Sequence, residues 1–264
     1  VSVLSKLLSE MMEKGATKLC SFQMDPAHTD ATSDGEPIAA EKHYFRLRVT
    51  EMYLAHSRKW GTEFYPAVHA LTRFRFGDAE VDIPNAIDPL ALPGVETSAD
   101  VVIKRDDAMT ALLPFHGGTV GILAGLLAMQ GANHPQAFLS AMADCAKLLV
   151  VPQLPAAIQI AAPVASGIQK MMGAMNGGLH LGLHETLTGQ SGAAKRLCPG
   201  YLVAIGAEEQ QVRRNQLWIV GGQLRAGTSA AASRPYQDYD HIVFQVEEQP
   251  GRDDYDSLPS VRGP

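Results

Sequence analysis

Ionic side chains are nearly missing from the middle of this sequence. The 77 residues from Ala108 to His184 contain only Asp144, Lys147 and Lys170, while 47 of the 50 Asp, Glu, Lys and Arg residues lie elsewhere. So much uncharged surface would associate in water, so this stretch must be buried in the fold, sequestered between subunits or placed in lipid. Cysteine is also scarce. Cys20, Cys145 and Cys198 are far apart and have no CxxC spacing, which excludes a disulfide framework and a zinc knuckle and points to a reducing, cytoplasmic setting. A basic patch is lacking as well: the net charge is −6, and nucleic acid is not expected as a partner.

No unbroken apolar run spans a membrane. Leu149 to Gln169 carries no charge, but Pro152, Pro155 and Pro163 interrupt it and Gln153 and Gln159 add polar groups. The first residues lack the continuous apolar core of a secretory signal, and the opening valine reads as a processed form, a trimmed start or a chain whose true start is not shown. Instead Leu4, Leu7, Leu8, Met11 and Met12 recur at helical spacing opposite Lys6, Glu10 and Glu13. This pattern predicts an amphipathic helix packed on the domain.

Strand signals dominate the rest. Phe45, Leu47 and Val49 alternate with Arg46, Arg48 and Thr50, giving one buried and one wet face. LTRFRF, Gly77-Asp78 and AEVDIP read as a hairpin with a two-residue turn. Its register pairs Phe76 with Ala79, Arg75 with Glu80, Phe74 with Val81 and Arg73 with Asp82, and puts two ion pairs on the outer face. Residues 84 to 107, with Pro84, Pro89 and Pro93, read as an irregular crossing. TVGILAGLLAMQ is apolar or small on both alternating faces and predicts a central strand. Gly221-Gly222 marks a second hairpin.

Between the strands, Asn133 to Val150 has a cap, an early proline and one apolar face, which predict a helix. Two short helices follow, and the second buries Val164, Ile168, Met171, Met172 and Met175 at helical spacing. The expected fold is therefore α+β. It is mainly an antiparallel β-sandwich of about nine strands with an amphipathic N-terminal helix and an inserted apolar helical segment. The expected organisation is a helix over 1–24, a flexible loop over 25–41 and one β-rich domain over 42–264, with the helical insertion at about 133–176.

Chemical motifs are weak. His180, His184 and Glu185 are the metal candidates, because a strand puts both histidines on one face with Gly182 between them. Thr188 stands where HExxH requires the second histidine, however, and spacing names no third ligand. Gly189-Gln190-Ser191-Gly192 is no nucleophile elbow, Gly117-Gly118 is no phosphate loop, and the C-terminal aspartates lack EF-hand spacing. No catalytic residue, cofactor or small-molecule substrate is implied. The sequence favours a non-enzymatic interaction or assembly protein. Its charge-poor centre would meet a protein partner or another copy through Leu123, Leu127, Val164, Ile168, Met171, Met172 and Met175. The alternatives are a membrane-perturbing effector that exposes this centre on a trigger, and a hydrolase with an unrecognised site.

Overall fold

The computed structural model describes residues 18–30, 33, 35–55, 58–59, 62–76, 79–87, 103–130, 179–193 and 195–250. Their strands are, in chain order, β1 (Cys20–Gln23), β2 (His43–Tyr53), β3 (Arg58–Lys59), β4 (Thr62–Phe76), β5 (Ala79–Ile87), β6 (Ile103–Ala108), β7 (Leu113–Pro114), β8 (Thr119–Gln130), β9 (Leu179–Thr188), β10 (Gly200–Ile205), β11 (Leu217–Val220), β12 (Gln223–Ala226), β13 (Arg234–Pro235) and β14 (His241–Pro250).

They form three antiparallel sheets. The main sheet runs β1-β10-β14-β2-β6, with β7 also on β2; the second runs β3-β4-β8-β9, with β5 also on β4; the third is the small sheet β11-β12-β13. Alternation decides which side chains meet. Phe45, Leu47 and Val49 share the principal core with Phe244, Phe74 and Ile122. Within it the Phe45 ring stands edge-on to Phe74 at 6.0 Å and to Phe115 at 6.2 Å, a favoured aromatic geometry. The opposite face of the main sheet is apolar too. Phe22, Tyr201, Val203 and Val243 form a second core with Ile219 and Leu224 of the small sheet, so among the described residues the main sheet is the middle of three layers.

Two features of β2 follow from this layering. Its first half alternates between buried and partly exposed residues, whereas its last five residues are all buried, because there the small sheet covers the second face. The register against β14 shifts between Val243 and Phe244, which lie opposite Glu51 and Val49. Thr50 is therefore the extra residue of a β-bulge. The strand β8 is central as its two apolar faces predict, paired with β4 on one side and β9 on the other. The β4–β5 hairpin has the expected register, from Phe76 opposite Ala79 to Arg73 opposite Asp82.

The α+β expectation is corrected. The described residues are mostly β, with 59% strand against 6% helix, and they contain neither an amphipathic N-terminal helix nor an inserted apolar helix. Where the expected helix over 1–24 enters the described residues, the chain is extended. Cys20 to Gln23 pairs antiparallel with Ile205 to Leu202, and Cys20 and Phe22 are buried on one face in a two-residue rhythm that a helical period cannot use. Residues 1–17 and the insertion at 133–176 lie outside the described residues. The irregular crossing over 84–107 is also corrected at both ends. Pro84 sits within β5 opposite Leu71, because β5 pairs with β4 alone among the described strands and an edge position asks for no second ladder donor. Residues 103–108 pair with β2.

Candidate functional site

The three metal candidates of the sequence all lie on β9, but not together. His184 takes one face with Gly182 and Glu185 the other with the core residues Leu183 and Leu187, while His180 sits at a register shift of β9 and reaches Asp240 beside the main sheet. The Nδ1–H of His180 donates to Asp240 Oδ2 at 3.0 Å, and Asp240 Oδ1 accepts the amide of Ala55 at 2.7 Å. His184 is exposed opposite Leu123. Among the described residues no three His, Cys, Asp or Glu side chains converge on a point that could hold a metal.

Glu185 serves a different arrangement. Its Oε1 accepts from both Ser21 Oγ and Lys195 Nζ, and Lys195 also donates to Ser21 Oγ at 3.0 Å. The serine, the lysine and the carboxylate are thus bonded to one another across two sheets. The cluster works as a latch between β1 at the edge of the main sheet and β9 at the edge of the second. Gln23 extends the latch, donating to Arg196 O at 2.6 Å and accepting from Arg196 N at 2.8 Å.

The partner-contact residues divide. Leu123 and Leu127 are each 2% exposed, on the face of β8 that points away from the main sheet. Val164, Ile168, Met171, Met172 and Met175 lie outside the described residues.

Sequence reasoning missed the most deeply placed charged group. Glu51 and His241 are both fully buried where the main and small sheets meet. Glu51 Oε2 accepts the Leu224 amide of β12, its Oε1 lies 3.3 Å from His241 Nε2, and His241 Nδ1–H donates to Tyr239 O at 3.0 Å. With Nδ1 turned to a carbonyl, Nε2 is the nitrogen that faces Glu51. The Tyr53 and Tyr236 rings flank the imidazole at 5.3 and 5.5 Å. The available signal was Glu51 itself, an acid at the end of a strand whose neighbours Val49, Met52 and Tyr53 are apolar or aromatic.

Two clefts open beside these layers. The first, about 680 Å³, lies between the Gly221-Gly222 turn and the main sheet. Several of its polar groups are committed to one another: Arg46 Nη1 lies 3.7 Å from Glu247, and Asp30 accepts the Gly221 amide. The second, about 580 Å³, borders the small sheet and is lined by Arg213, Gln216, Arg234, Tyr236, Asp238 and Tyr239 among others. Burial, and after it the nearby Asp238 carboxylate, pushes the Tyr236 phenol up from its ordinary value of 10. That side chain therefore stays a neutral O–H donor.

Comparison with known proteins finds no family model, no curated protein and no solved structure that matches this chain. No helix among the described residues is long and apolar enough to cross a membrane.

Proposed function

We propose that this protein is a non-enzymatic interaction or assembly module, in which the charge-poor centre of the chain meets a protein partner or a second copy. One observation carries the reading. On the second sheet, the face turned away from the main sheet is polar at one end, where Arg73 and Asp82 lie, and apolar at the other. That apolar end holds Ala67, Leu71, Leu123 and Leu127. The 131–178 stretch leaves β8 and rejoins β9 at this same apolar end, and it contributes only Asp144, Lys147 and Lys170 as charges. The leucines of this end are themselves buried, so the association surface would belong to the charge-poor segment that continues from it.

Leu123 is too deeply buried to test a surface, so the variants belong in the connecting segment. Light scattering at tens of micromolar protein should give a discrete oligomer or a defined partner complex. Ile168→Asp and Met172→Asp should abolish it while thermal stability is kept. A strict monomer that captures no partner, or an assembly indifferent to both substitutions, would overturn the reading.

A further inference from the structure

The cleft beside the small sheet brings two arginines onto one concavity. Several arginines elsewhere are engaged: Arg73 donates to both carboxylate oxygens of Asp82, and Arg48 lies 3.6 Å from Glu247. The immediate neighbours of the cleft are engaged too. Arg214 donates to Glu209 at 2.8 Å and covers the Phe22 ring at 4.5 Å, while Arg225 donates to Ser233 Oγ, Ser233 O and Gln223 Oε1. Arg213 and Arg234 line the cleft with no ion-pair or hydrogen-bond partner for their guanidinium groups among the described residues. In a chain of net charge −6, two uncommitted guanidiniums beside the one carboxylate of Asp238 leave this concavity with a local positive excess.

The walls around them are fixed rather than loose. The amide of Gly227 donates to Gln216 O at 2.9 Å, and Trp218 Nε1 donates to Gly227 O at 3.0 Å. The Tyr236 amide donates to Leu224 O at 2.9 Å. A Cβ at Gly227 would lie 2.6 Å from Ser233 Cα, so only glycine lets the Ser229–Ser233 turn close against the sheet. The volume falls within the range of small-molecule sites.

We propose that this cleft is a binding site for a small oxyanion-bearing ligand, a phosphate or a carboxylate, held by Arg213 and Arg234 between the walls formed by Tyr236 and Tyr239. A guanidinium presents a planar fork of donors that matches either anion two oxygens at a time. The Tyr236 phenol is a neutral donor suited to the same oxygens, and Asp238 favours a ligand that also carries a hydroxyl or amine. The site is independent of the assembly surface, which lies on a different sheet.

The test is a nuclear magnetic resonance titration of the full chain with sodium phosphate and, separately, sodium citrate, using sodium chloride at matched ionic strength as the control. Saturable shifts should appear at the side chains of Arg213 and Arg234 and at the amides of 211–217 and 234–239. The phosphate and citrate arms show which anion is preferred. Combining Arg213→Gln with Arg234→Gln should weaken binding at least tenfold, with the remaining resonances in place, whereas the conservative pair Arg213→Lys and Arg234→Lys should recover part of it. Non-saturating shifts spread over all arginines, or a double glutamine variant that binds like the parent, would overturn the proposal.

Discussion

His69 is 1% exposed on β4, with Nδ1–H donating to Asn85 O at 2.9 Å and Nε2 lacking a hydrogen-bond partner among the described residues. Burial lowers its pKa from 6.5 to about 4. The folded chain thus holds a neutral ring at a pH where the unfolded chain already binds a proton, and the stability belonging to His69 is complete above pH 6.5. It is lost progressively as pH falls from 6.5 toward 4, by roughly 3 kcal/mol in all at about 1.4 kcal/mol per pH unit. Urea unfolding of the parent and of His69→Leu across this window should show a steeper acid loss for the parent. Equal slopes would mean that His69 does not set the acid limit. The sequence shows that a histidine lies between Val68 and Ala70, but not that both faces of its strand are covered. For the same reason the full burial of Glu51 and His241 was not legible, although the apolar neighbours of Glu51 hint at it: burial on a second face is a property of the layer above, not of the strand's own pattern.

Elements were legible where pattern and turn chemistry agree. The β4–β5 register could be read because a two-residue turn leaves no freedom in the pairing that follows. It also fixes the value of its outer-face pair. Arg73 and Asp82 meet at 2.7 Å but are partly exposed, so Arg73→Ala should cost about 1 kcal/mol or less, read as a small shift in the thermal midpoint. The Gly221-Gly222 turn makes a stronger demand. Both glycines have positive φ, 59° and 75°, and a Cβ at Gly222 would approach Thr50 Cβ to 3.2 Å. Gly222→Ala therefore combines left-handed strain with a crowded contact against the bulge of β2. A loss of about 1 to 2 kcal/mol or more is expected, with faster hydrogen exchange in β11 and β12. Less of β1, β5 and β6 was legible. Four residues are too few to oppose the helical period upstream of β1, and Pro84 counts against a strand only if that strand has two neighbours.

At the scale of the whole molecule, the question is whether three layers behave as one cooperative unit. The main and second sheets share the principal core, and truncating its centre by Phe45→Ala should remove about 3 to 5 kcal/mol and lower the protection of both sheets together. The small sheet is attached differently, through the second core and through one buried polar joint, where Glu51 accepts from Leu224 and meets His241. Glu51→Ala would leave a buried amide and a buried imidazole nitrogen without their partner, a change that typically destabilises by about 3 to 5 kcal/mol. Glu51→Gln keeps an oxygen for the Leu224 amide and offers an N–H to Nε2, so it should retain most of the docking if geometry rather than charge holds the layer. Hydrogen exchange separates the two architectures. If the small sheet is a docked layer, Glu51→Ala should release β11, β12 and β13 while β4, β8 and β9 keep their parental protection. Uniform loss across all three sheets would show instead that Glu51 is part of a single core and that no layer opens alone.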